Sequence, residues 1–211
     1  MAGVVAVTEA PRPPQRRAPI RGAVVGVALL VLLWGYAQLG PSPKLFGTPL
    51  GGRPAPSLDL KDERGGDFHL ATLRGRAVLV YFGYTHCTEI CPATLAALNR
   101  VVARLGPDAR HVSIVFVTLD PDRDTGSALR SYLAAFHPTP VGLTGAREQI
   151  ATAARSWGVN WTVAEQGAYM DHDSFVALVD PEGRLRTRYG FSQLRREDDV
   201  ARDIGSVLRT E

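Results

Sequence analysis

Residues 77–95 read AVLVYFGYTHCTEICPATL, and the order of residue types within this stretch decides the architecture. The first eight, residues 77–84, are apolar except for one glycine, and five of them are β-branched or aromatic, the composition of a strand buried on both faces. Leu95, Leu98, Val102 and Leu105 then recur at helical spacing, and Gly106-Pro107 supplies a stop. A buried strand therefore passes through a short loop into a helix. The two cysteines of the chain, Cys87 and Cys91, fall in that junction.

Working outward, HVSIVFVTLD at residues 111–120 predicts a second buried strand and residues 125–136 a helix, which completes a β-α-β unit. Residues 147–157 read as another helix. FVALVD at 175–180 reads as a strand, Pro181-Glu182-Gly183 as a turn and residues 185–189 as its partner. A last helix fits residues 193–208. Upstream, Leu58 and Leu60 alternate, residues 63–67 contain a glycine turn, and Phe68 and Leu70 alternate again, which predicts a hairpin. Strands that alternate with helices and end in a hairpin give an α/β sandwich with a mixed central sheet flanked by helices, one domain over residues 57–211.

The N-terminal part has a different composition. Residues 22–37, GAVVGVALLVLLWGYA, carry no charge and with their flanks approach the roughly 20 residues a membrane-spanning helix needs. We expect one transmembrane anchor over residues 22–39 behind a cytoplasmic flank, residues 1–21. Arg12, Arg16, Arg17 and Arg21 precede it against only Glu9, so the positive-inside bias places the folded domain on the periplasmic or extracytoplasmic side. A cleaved signal peptide ending near Gly35-Tyr36-Ala37 is the alternative. The Pro- and Gly-rich stretch 40–56 reads as a tether. That flank carries the whole formal charge of +3, leaving the rest balanced, a distribution explained by topology and not by nucleic-acid binding.

A pair of cysteines in an exported chain is poor scaffolding and reads better as chemistry. Where a strand enters a helix, backbone N–H groups and the helix dipole favour thiolates. Four residues of separation place both side chains on one face, about 6 Å apart, close enough to share one metal ion. Two soft thiolates suit Cu(I), and an imidazole as third ligand would also admit Cu(II). Chemistry alone does not choose among the five histidines. A structural disulfide and a pair working purely by thiol-disulfide exchange remain alternatives.

FGYTHCTEICPATL, followed by LDPDRDT at 119–125, LTG at 143–145 and YMDHDS at 169–174, resembles the SCO/SenC family of cytochrome oxidase assembly factors, over about residues 55–208. The resemblance implies a thioredoxin-like domain binding one copper ion per monomer through Cys87, Cys91 and His172, with Cys87 and Cys91 also forming a redox disulfide. It further implies a monomeric metallochaperone that helps assemble the dinuclear copper centre of cytochrome c oxidase subunit II, by copper transfer, thiol reduction or both. An exported membrane-anchored thiol-disulfide oxidoreductase without obligatory copper is the alternative function. One departure stands out: Thr88 and Glu89 replace the family's usual Pro and Asp, which frees the loop.

Several neighbours carry expectations too. Gly83 and Tyr84 shape the loop, glycine by allowing close backbone approach. Asp120, Asp122, Arg123 and Asp124 follow a buried strand at the edge where sites of α/β proteins gather, which offers contacts to a partner protein or the metal loop; the preferred reading is a turn in which Asp124 or Thr125 caps the next helix. Asp171 or Asp173 orients the imidazole of His172. Met170 is core filler. His86 diverges from Cys87, and His69, His111 and His137 are solvated residues at element ends.

Overall fold

The computed structural model describes residues 25–32, 44–163 and 170–209. Residues 25–32 form a helix, α1, whose valines and leucines are exposed. No helix among the described residues is long and apolar enough to cross a membrane. The rest of the expected anchor, residues 22–24 and 33–39, lies outside the described residues.

The unit Lys44–Glu211 is built on one eight-stranded sheet in the order β1-β10-β9-β4-β5-β6-β2-β3. At its centre β4 (Ala77–Gly83) pairs in parallel with β5 (Val112–Thr118), which pairs in parallel with β6 (Val141–Thr144). On the other side of β4, β9 (Phe175–Val179) runs antiparallel, and β10 (Leu185–Gly190) folds back on β9. The hairpin of β2 (Asp59–Asp62) and β3 (Asp67–His69) joins through β6. Its turn forms because Gly65 takes φ +87° while the Asp62 carboxylate accepts the N–H groups of Arg64 and Gly66.

All seven residues of β4 are buried, as expected of a strand covered on both faces. Neighbouring side chains take opposite faces: Tyr81 meets Phe116 of β5, and Phe82 meets Trp157 just after α4 (Arg147–Ser156). Helix α2 (Ile90–Arg104) buries Leu95, Leu98, Val101 and Val102 against the sheet. Arg100 and Arg104 on its outer side pair with Glu197 and Asp198 in the first turn of α6 (Glu197–Leu208), where carboxylates also complement the helix dipole. Helix α3 (Gly126–Leu133) starts at Thr125, whose hydroxyl accepts the Ala128 N–H at 3.3 Å, so the cap is Thr125 and not Asp124.

Three differences from the sequence reading have clear causes. The last predicted helix is two, α5 (Phe191–Leu194) and α6, because Arg196 leaves helical geometry at φ −93°, ψ 65°. Strand β6 (Val141–Thr144) has no strand signal in the sequence: it is short and holds Gly142, where a β-carbon would stand 2.7 Å from Leu133 Cδ1. The stretch 40–56, read as a tether, is docked from Lys44 onward. There β1 (Thr48–Pro49) pairs with β10, and Leu50, Gly52 and Ala55 continue along that edge.

Asp203 of α6 anchors this docking. Its carboxylate is buried and accepts the N–H groups of Phe46 and Gly47 and the Tyr189 hydroxyl at 2.8 to 3.1 Å. Arg196 lies over the Phe46 ring at 4.5 Å. Removing the carboxylate leaves three donors short of a partner, so Asp203→Ala should lose about 2–4 kcal/mol in urea unfolding and make residues 44–50 newly sensitive to limited proteolysis.

Candidate metal and thiol site

Helix α2 begins at Ile90 with both cysteines at its N-terminus. Cys87 is half-buried, Cys91 is fully buried, and both are free thiols. The Cys91 N–H, a first-turn donor that has no acceptor within the helix, donates to Cys87 Sγ at 3.3 Å. The sequence reading put both side chains on one face of a helical turn; in the structure Cys87 lies in the loop before α2, and its sulfur still sits against the first turn that carries Cys91.

Cys91 sits in a closed environment. A β-carbon on Gly83 would come within 3.0 Å of Cys91 Sγ and 2.9 Å of Phe116 Cε2, so only glycine allows the helix this near to the strand end. The Tyr81 hydroxyl donates to Cys91 Sγ at 3.3 Å. Burial pushes the Cys91 thiol up to about 12, against the opposing hydrogen bonds from the Tyr81 hydroxyl and the Tyr84 backbone. Burial, and then the neighbouring sulfur, also raises Tyr81 far above the usual tyrosine range.

The Tyr132 hydroxyl is sealed from solvent with no hydrogen-bond partner among the described residues. Burial raises its pKa, and Cys91, Cys87 and Asp124 add to the rise.

His172 lies on β8 (Met170–His172), which pairs with β7 (Trp161–Val163) opposite Trp161. The side chains of Met170, Asp171 and His172 lie outside the described residues. Just beyond, Ser174 hydrogen-bonds the Tyr81 hydroxyl, the same group that donates to Cys91. The Asp173 carboxylate accepts from the Asn160 N–H at 3.1 Å and side-chain amide at 2.9 Å, which ties together the chain flanking the β7–β8 pair.

The other histidines are ordinary. His69 pairs with Asp59 at 2.7 Å on the surface, His111 accepts from Arg110, and His137 is exposed. His86 groups with Asp120 and Asp124, their ligand atoms lying within 4.8 Å of one another. Those carboxylates are already engaged, Asp120 by Arg123 and Asp124 by Thr85 and Thr118. The sulfur pair is the donor set that fits a soft metal such as Cu(I).

Sequence reasoning gave no role to Tyr81 or Ser174, and it preferred a helix cap for Asp124 where the structure bonds the carboxylate to Thr85. Tyr81 was hidden in an apolar run, and its role depends on which face of β4 it takes. Tyr81→Phe should raise the Cys91 pKa further, because the lost donor favours the thiolate; in a Cys87→Ser background the pH profile of Cys91 alkylation measures the shift.

The family model described as SCO1/SenC matches residues 52–209. The chain is 40% identical over 142 residues to the mitochondrial protein SCO2 homolog of Mus musculus, covering 64% of this chain and 56% of that protein. It is 38% identical over 159 residues to the Homo sapiens counterpart, covering 67% and 60%. The chain thus spans about three-fifths of these relatives' length. Among solved structures, Bradyrhizobium japonicum ScoI with copper bound is similar with TM-score 0.63 and 31% identity, over 72% of this chain and 98% of that one. Apo Sco1 from Thermus thermophilus gives 0.68 and 31%, over 79% and 98%.

Proposed function

This chain belongs to the SCO1/SenC family, and from that premise we propose that it binds one copper ion through Cys87, Cys91 and His172 and serves the assembly of the dinuclear copper centre of cytochrome c oxidase subunit II. The observation that carries the reading is the pair of thiol sulfurs at the α2 N-terminus, joined through Tyr81 to the segment that follows residue 172. Ser174, two residues beyond His172, bonds the hydroxyl that bonds Cys91, which supports an imidazole approach to the sulfurs. The solved ScoI structure with copper bound supports the same cargo.

The chain's own groups have two tasks in this reading. They supply soft donors, and they keep the inner sulfur dry. With its pKa near 12, Cys91 is a neutral thiol at neutral pH, so metal uptake releases its proton. Copper affinity should therefore rise with pH across the neutral range, by at least tenfold per unit. Cys87, the more accessible sulfur, is the one a client meets first, either to take copper by ligand exchange or to attack a client disulfide with Cys91 as the resolving thiol.

Titration of the reduced protein with Cu(II), followed by visible absorption, tests the ligand set. We expect one equivalent bound with thiolate-to-copper charge transfer, and loss of that band in separate Cys87→Ser, Cys91→Ser and His172→Ala variants. An unchanged band in His172→Ala removes the third ligand. Turnover of a client disulfide that survives both chelation and His172→Ala favours the thiol-exchange reading instead.

The apolar, exposed face of α1 within the uncharged run supports a membrane anchor over residues 22–39 that holds the domain on the extracytoplasmic side. Deleting residues 1–39 should move the protein from the membrane fraction to the soluble fraction without changing copper binding.

A further inference from the structure

Asp124 is fully buried, and its carboxylate makes bonds that no helix cap requires. It accepts the Thr85 N–H at 3.0 Å, the Thr85 hydroxyl at 2.5 Å and the Thr118 hydroxyl at 2.6 Å, with His86 Nδ1 3.7 Å away. Its backbone is tied as well: the N–H donates to the Asp120 carbonyl at 2.8 Å, and its carbonyl accepts the Thr144 hydroxyl at 3.3 Å. One residue thus links the loop before Cys87 to the end of β5 and the end of β6.

We infer that Asp124 is the positioning residue of the cysteine loop, holding the backbone that leads into Cys87 whether or not a metal is bound. Withdrawing a carboxylate from water costs several kcal/mol unless strong donors replace the lost hydration. Here two of the three donors belong to Thr85, two residues before Cys87. Helix α2 starts at Ile90, so residues 86–89 are fixed at one end by the helix and at the other by Asp124. That span contains Thr88 and Glu89 and no proline, and rigidity has to come from outside it. Since Thr125 caps α3, the Asp124 carboxylate is free for this task.

The test compares Asp124→Asn with Asp203→Asn in the full chain. Asp203 is likewise buried and also accepts from three groups, but it holds the β1 edge. The two readouts are copper affinity by competition, which rests on the proposed function, and the alkylation rate of Cys91 in copper-free reduced protein, which does not. Asp124→Asn should weaken copper binding roughly tenfold or more, the scale for groups that orient metal ligands, and should speed Cys91 alkylation by a similar factor. Asp203→Asn should lower the melting temperature while moving either readout by less than about twofold. The inference is overturned if Asp124→Asn leaves the alkylation rate within about twofold of the parent, or if Asp203→Asn changes it equally. A parent that binds no copper removes the proposed function and leaves the alkylation comparison to decide. Should Asp124→Asn fail to fold, Thr118→Val removes one donor to the same carboxylate, and an unchanged Cys91 rate there also overturns the inference.

Discussion

The sulfur of Cys91 is lodged at the end of β4 where a β-carbon on residue 83 would approach it to 3.0 Å, and that contact sets how near helix α2 can come to the sheet. Given this approach, the Tyr81 hydroxyl reaches the sulfur and the first turn of the helix turns its N–H toward Cys87. The outer side of α2 is clamped in turn by the arginine pairs to α6. Exposed pairs of this kind contribute little individually, so the close apolar packing of β4 against α2 carries the geometry.

The two sulfurs are chemically unequal because the helix terminus and the core act on them differently. Cys87 is half-buried and receives a backbone N–H; Cys91 is enclosed, and desolvation keeps it protonated. An accessible sulfur beside a shielded one suits either of two jobs, passing a soft ion outward or trading disulfides with a client. The Tyr81 hydroxyl bonds the inner sulfur, while Thr85 and Thr118 converge on Asp124 beside the loop that precedes Cys87.

Much of the fold was legible. The hydrophobic runs at 77–84 and 111–120 located β4 and β5 within a residue or two, since strands buried on both faces have few other compositions available. Elements with weak local signals were not legible. Strand β6 exists because Leu133 and the β5 edge cover it, and β1 because Asp203 supplies acceptors from more than 150 residues away. The Pro- and Gly-rich composition of 44–56 favours an extended chain, and extended chain is equally what an edge strand uses; only its partner distinguishes the two.

The amino-acid order by itself determined the strand-loop-helix unit and the placement of both thiols around the helix start, because each follows from local periodicity; the need for glycine at 83 came from Phe116 and Cys91 packing against it. Tertiary structure alone decided that Asp124 grips Thr85 and leaves the cap to Thr125, that Tyr81 turns toward Cys91, and that Ser174 closes on the same hydroxyl. These contacts join residues brought together by sheet order and register, and a hydrogen bond depends on distances of tenths of an ångström that no one-dimensional pattern encodes.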